Sequence, residues 1–152
     1  MFIWKISKLN KQLAREKLSE SEVFKYLMAN TVIYSIAVIP YGTPNQLDVY
    51  LGLISLVVGV LALWVIYRLN GGRNGNNFIE RYFAVSWVVL IRTIVLVMLP
   101  LSICVIAYQE IYLGELPEET TLIDFTALLL FEFIYLVLIA KSIHYIAKNE
   151  NA

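Results

Sequence analysis

Two charged side chains interrupt apolar stretches of this 152-residue chain at positions where a charge could do chemistry. Arg92 lies in WVVLIRTIVLVM, and Glu132 lies in LLLFEFIYLVL. A charge near the centre of a membrane-spanning helix costs at least about 2.5 to 3.5 kcal/mol on insertion scales, so such residues pair with one another or serve a function. The two residues therefore predict either an ion pair between helices or a carboxylate that titrates or binds a cation.

Counting along the helices gives Arg92 and Glu132 a similar depth. Arg92 follows Arg81 by roughly 11 residues, or about 16 Å, and Glu132 lies about 15 Å from the opposite side. The two charges would stand on consecutive antiparallel helices. We therefore predict an Arg92–Glu132 ion pair, within one subunit or across an oligomer interface, and we favour a structural or assembly role over titration of Glu132.

The composition requires helices that lie in a membrane. Hydrophobic residues make up 59% of the chain, charged residues make up 16%, and the mean hydropathy is +0.69, beyond the usual range of soluble domains. A bilayer crossing takes about 20 apolar residues, which leaves room for four spans and no separate soluble domain. We therefore expect an all-α integral membrane protein, a four-transmembrane-helix bundle with a short N-terminal amphipathic helix.

Breaks in the apolar pattern set the predicted boundaries. A basic segment, residues 1–22, precedes a membrane domain at 23–147 and a tail at 148–152. Ser19 and Glu22 have capping-box spacing before the first span, and Pro40 ends it. The four spans are predicted at about 23–39, 47–69, 81–108 and 122–145.

Lysine and arginine lie mainly in three parts of the chain, namely the N-terminal segment, the loop NGGRNGNNFIERY and the tail region. The connections YGTPNQ and EIYLGELPEET contain neither residue. The positive-inside rule then places both termini and the loop in the cytoplasm. We expect a plasma membrane of the bacterial inner-membrane type.

The N-terminal segment combines an apolar stripe with a basic remainder. Phe2, Ile6, Leu9 and Leu13 share one helical face. That pattern is typical of an amphipathic helix on the anionic inner leaflet, and a docking surface for a cytoplasmic protein is the alternative.

Small and polar residues in the other spans indicate helix packing. Span two carries a seam of small residues that would let another helix approach closely, in the bundle or in a second subunit: Gly52, Ser55, Gly59 and Ala62. Span one carries residues that could join helices or line a pathway with Arg81, which shares a face with Arg92: Asn30, Thr31 and Ser35. In the cytoplasmic loop, Arg73, Asn74 and Gly75 favour a tight turn, with an anion nest as the alternative.

We predict a non-enzymatic membrane subunit that anchors, senses or assembles a membrane complex, as a homo-oligomer or with a cytoplasmic partner protein. The lone histidine, His144, and the lone cysteine, Cys104, predict no metal site, and we expect no cofactor and no direct nucleic-acid binding. The alternative is a small oligomeric ion channel or transporter with Arg92 and Glu132 near the pathway. A lipid-modifying enzyme would need His144, Arg73 and Arg81 to converge.

Overall fold

The computed structural model of the chain describes residues 2–37, 43–114 and 116–150, and these residues form helices and turns without a β-strand. The predicted all-α class is therefore confirmed for the described residues. The helices are α1 Ile6–Arg15, α2 Glu20–Ala37, α3 Gln46–Leu69, α4 Phe78–Thr93, α5 Leu99–Leu113 and α6 Leu122–Lys148.

Within the residues that the structure describes, three helices are long and apolar enough to cross a membrane. They are α3, the continuous helix Phe78–Tyr112 that contains α4 and most of α5, and α6. The predicted first span corresponds to α2, whose 18 residues include Glu20, Glu22 and Lys25. Pro40 and the end of that predicted span lie outside the described residues. A fourth span therefore stays a prediction.

A π-helical turn, Ile94–Met98, joins α4 to α5. Pro100 follows it within the first turn of α5. Proline has no backbone N–H to donate, and in a regular α-helix its ring would collide with the carbonyl group of the residue four positions earlier. A wider turn relieves that conflict without ending the helix. On the two sides of this turn, α4 carries the core, with Ala84, Val85 and Val88 fully buried, whereas Ile103 and Ile111 of α5 are exposed.

Reciprocal caps start three of the helices. The Ser19 amide and hydroxyl donate to Glu22 at 3.2 and 3.1 Å, which confirms the predicted capping box and lowers the pKa of Glu22. At the far end, Asn45 caps α3 and donates through its side chain to the Thr120 carbonyl at 2.8 Å. Thr121 caps α6. The two connections that lack lysine and arginine are thus fastened to each other.

The connections sort to two ends of the bundle. The N-terminal segment, the loop at residues 70–77 and the C-terminal end contact one another through Arg81, while residues 43–48 contact residues 118–120 at the other end. This grouping agrees with the predicted topology. The side of the membrane that each end faces stays a prediction.

The amphipathic helix α1 packs on protein, which corrects the expectation of an apolar face in lipid. Leu9 is 0% exposed and Leu13 is 2% exposed, and both belong to the core that α4 and α6 build. Periodicity identifies an apolar face but not its partner. At 27 residues α6 is about 40 Å long, so it outruns a hydrocarbon core of about 30 Å and offers α1 a protein surface.

Candidate functional site

Arg81 is the centre of a junction at the basic end. Its side chain is 2% exposed and forms an ion pair with Glu150, Nη2 to Oε1, at 2.9 Å. Its guanidinium also donates to Asn70 Oδ1 at 3.1 Å and to the Leu13 carbonyl at 3.5 Å. The Arg81 junction therefore joins α4 to α1, to the 70–77 loop and to the C-terminal end, and Arg81 lowers the pKa of Glu150.

The loop beside this junction is a tight turn. Gly71 has a φ of 101°, and a Cβ added to Gly75 would lie 2.0 Å from the Asn70 carbonyl oxygen. Arg73 and Asn74 are exposed in a 3₁₀ turn. The Arg81 guanidinium pairs with the chain's own carboxylate, Glu150, and an anion nest at the loop amides stays a prediction.

Glu132 lies in a cavity of about 380 Å³. Ser55 Oγ donates to Glu132 Oε2 at 2.6 Å. The hydroxyls of Tyr34 and Tyr135 are 3.2 Å apart, and both rings line the same cavity together with Tyr82. Because Glu132 is roughly ten residues into α6, it lies about 15 Å from the acidic end of that helix, near the middle of a bilayer core.

Arg92 faces a different part of the molecule. Its guanidinium carbon is 5.8 Å from the centroid of the Trp4 ring, a cation–π contact, and its side chain lines a crevice with Lys141 and Leu138. Across the described ranges of the chain, the one ion pair within 4.0 Å joins Arg81 to Glu150. An Arg92–Glu132 pair within one chain is therefore not formed, and a pair between subunits stays a prediction.

Helix length explains why the intrachain pair is absent. Arg92 was placed about 16 Å from the basic end and Glu132 about 15 Å from the acidic end, and the two depths add to about 31 Å. The two ends are about 40 Å apart along α6, which is longer than that sum. Roughly 9 Å therefore separates the two levels. Arg92 accordingly meets α6 at Leu138 and Lys141, six and nine residues beyond Glu132.

Asn30, Thr31 and Ser35 of α2 do not line the Glu132 cavity within one chain, and a pathway between subunits stays a prediction. Asn30 is 1% exposed, donates to the carbonyls of Tyr26 and Phe83 at 2.8 and 3.1 Å, and so fastens α2 to α4. Thr31 and Ser35 are exposed, and Thr31 donates to its own helix. Arg81 lies in the junction at the basic end and does not line the Glu132 cavity.

The seam of small residues on α3 contacts α6 at Ser55, which donates to Glu132, and α3 packs on α6. A Cβ added to Gly52 or Gly59 would meet no heavy atom within 4 Å, which corrects the expected close approach at these two glycines. Gly59 instead lines the Glu132 cavity beside Ser55, while Ala62 packs against the core. Contact of this seam with a second subunit stays a prediction.

Several residues at these sites carried no individual signal in the sequence. Tyr135 follows Glu132 by three positions on one helix face, so helical spacing could have identified it. Trp4 and Lys141 could not have been found in this way, because the packing of the N-terminal segment and of α6 against α4 brings them to Arg92. His144 and Arg73 are exposed and Arg81 is buried around Glu150, so these three do not form one cavity.

Comparison with protein-family models, curated proteins and solved structures finds no match to this chain. Its function is therefore inferred from three features, namely the Arg81 junction, the Glu132 cavity and the crevice at Arg92.

Proposed function

We propose that this chain is a non-enzymatic integral membrane subunit that anchors and assembles a complex at the cytoplasmic face of a plasma membrane. The Arg81 junction is the observation that supports this proposal, because it fastens α1, the 70–77 loop and the C-terminal end into a single surface. A fixed surface loses little conformational entropy when a partner binds it.

The surface at the Arg81 junction is positively charged. Leu9 and Leu13 of the apolar face of α1 are buried, and four exposed residues in or next to this helix are basic: Lys5, Lys8, Lys11 and Arg15. Each lysine or arginine near an anionic membrane surface contributes about 1 kcal/mol of attraction. The basic surface would therefore hold this end against anionic headgroups and accept an acidic segment of a second copy or of a cytoplasmic protein.

Assembly can be measured as the stoichiometry of fluorescently labelled chains in lipid vesicles by single-molecule photobleaching. The wild-type chain should be oligomeric. Arg81→Gln should lower the oligomer fraction severalfold because α1 is released, and Arg73→Gln, which removes an exposed cation nearby, should not. A monomeric wild type, or an oligomer fraction unchanged by Arg81→Gln, would contradict assembly through this surface.

Orientation has its own test. In a Cys104→Ser background, a single cysteine at Thr43 should react with a membrane-impermeant maleimide added outside intact cells, and a cysteine at Arg73 should not. Both positions are exposed in the fold, so a difference in labelling reports the side of the membrane. Labelling at position 73 instead would invert the proposed topology.

A second candidate function is a small oligomeric channel or transporter, and the Glu132 cavity favours it. A carboxylate near the middle of a bilayer beside three tyrosines and a serine could carry a proton or a small cation. Proton and potassium flux into liposomes should then fall at least tenfold in Glu132→Gln and stay unchanged in Glu110→Gln, which alters an exposed carboxylate of α5. Absence of wild-type flux would reject this candidate.

A further inference from the structure

We propose that the crevice around Arg92 binds the phosphate group of an anionic phospholipid from the inner leaflet. The cavity has a volume of about 170 Å³ and lies between α4, α6 and the start of α1. Two cations, Arg92 and Lys141, and two hydroxyl residues, Thr93 and Ser142, line it with five apolar side chains: Ile6, Val89, Leu96, Val97 and Leu138.

The charge of the crevice lacks a protein counterion. No carboxylate lines the cavity, and in the part of the chain that the structure describes none lies within 4.0 Å of Arg92. The face of the Trp4 ring lies against the Arg92 guanidinium, and this face offers no lone pair that the guanidinium N–H groups could bond to. Those donors match a phosphate in a bidentate arrangement, and Lys141 adds a second positive charge.

The hydroxyls of the crevice have different roles. Thr93 Oγ1 donates its proton to the Val89 carbonyl at 2.8 Å, so it can only accept a further hydrogen bond. Ser142 makes no such bond within the described residues and can donate to a phosphate oxygen. Arg92, Lys141 and Ser142 are therefore the three groups that would hold the anion.

The depth of the crevice selects a lipid phosphate. Lys141 follows Leu122 by 19 residues, so it lies about 29 Å from the acidic end of α6, across a hydrocarbon core of about 30 Å. That is the inner boundary of the core, where headgroup phosphates and tryptophan side chains lie. Leu96, Val97 and Leu138 would contact the first part of an acyl chain. The inference rests on the proposed topology, with α3, α4, α5 and α6 in a bilayer and the basic end at the inner leaflet, but it does not depend on assembly.

Native mass spectrometry of the full chain in detergent can test this site, with phosphatidylglycerol and phosphatidylcholine titrated at equal concentrations. The wild type should retain phosphatidylglycerol preferentially. Arg92→Gln with Lys141→Gln should weaken that retention at least about tenfold, since it removes two charge-assisted contacts. The matched control, Arg73→Gln with Lys148→Gln, removes one exposed arginine and one exposed lysine and should retain the lipid.

A second variant tests the same site through an exposed residue, so that its result does not depend on a change in folding. Lys141 is exposed, so Lys141→Glu should fold as the wild type does while it places a carboxylate opposite Arg92. It should abolish retention of phosphatidylglycerol, whereas Lys148→Glu should not.

Four results would overturn the proposal. They are equal retention of the two lipids by the wild type, full retention by Lys141→Glu, a loss in the control as large as in the crevice variant, and complete displacement of the lipid by inorganic phosphate. The last result would identify free phosphate as the source of the bound anion.

Discussion

Two arginines of the same helix, α4, differ in what surrounds their charge. Arg81 is 2% exposed and has an ion-pair partner in Glu150 together with two further acceptors from other parts of the chain. Arg92 is half-buried, contacts an aromatic face, and lines a crevice with a second cation, two hydroxyl residues and apolar side chains. The fold neutralises the first charge itself and leaves the second for an external anion.

The contrast between Arg81 and Arg92 shows that the depth of a buried charge does not by itself predict its partner. An arginine whose acceptors all belong to the chain stabilises the fold, because removal of either partner leaves a buried group unsatisfied. An arginine that lies near a membrane boundary and has no carboxylate partner is better placed to bind a ligand. Substitutions at the two sites should therefore affect different measurements.

The largest expected effect is that of Arg81→Gln on stability. The change leaves Glu150 and Asn70 without their donor at a nearly closed site, and we expect a loss of about 2 to 4 kcal/mol in the free energy of unfolding. Denaturant titration in mixed micelles measures it, and the exposed neighbour Arg73→Gln should change the same quantity by less than about 0.5 kcal/mol. Equal effects of the two substitutions would remove the distinction between the junction and the surface.

The loop of the junction should be the next most sensitive position. A methyl group at Gly75 collides with the Asn70 carbonyl, so Gly75→Ala should cost about 1 to 3 kcal/mol. Gly52→Ala is the matched control, because its Cβ would enter open space and alanine favours the helix by up to about 1 kcal/mol. Thermal unfolding of both variants should show opposite shifts, and a tolerated Gly75→Ala would mean that the loop does not hold this conformation.

The junction should also produce a defined pH dependence. The pKa of Glu150 is lowered from 4.5 by Arg81, so its contribution to stability is complete above that value and is lost as the pH falls through the lower folded pKa. Glu150→Gln keeps an acceptor but not the charge, and we expect it to cost about 1 to 2 kcal/mol at neutral pH. The difference between wild type and variant should shrink below pH 4.5. A difference that is independent of pH would show that the charge is unimportant.

The smallest expected effect is the coupling between Arg92 and Glu132. With their levels separated by about 9 Å, the exchange Arg92→Glu with Glu132→Arg should restore neither stability nor assembly, and the coupling energy should stay below about 0.5 kcal/mol. The same double-mutant cycle applied to Arg81 and Glu150 supplies the positive control. Recovery of assembly by the Arg92–Glu132 exchange would instead indicate an ion pair between subunits.

Local patterns in the sequence predicted the helices well. Span two was expected at 47–69 and α3 covers Gln46–Leu69, while span four was expected at 122–145 and α6 covers Leu122–Lys148. Ser19 and Glu22 form the expected cap. These features depend on neighbouring residues and on the period of apolar positions, both of which the sequence contains directly.

Contacts between helices were predicted less well. The apolar stripe of α1 was identified, but its packing on α4 and α6 depends on how far those helices extend beyond the bilayer. The levels of Arg92 and Glu132 were counted from different ends, so an error in helix length became an error in pairing. Helix length beyond the membrane core is a property of the assembled bundle that no short motif records.

A direct measurement can decide whether Arg92 and Glu132 lie at different depths in the bilayer. In a Cys104→Ser background, a spin label at either position can be located in the bilayer by power saturation with a polar and an apolar relaxation agent. The structure predicts that position 92 lies about 9 Å nearer the lipid phosphates than position 132, which should lie near the midplane. Equal depths at the two positions would contradict this account and restore the mutual ion pair.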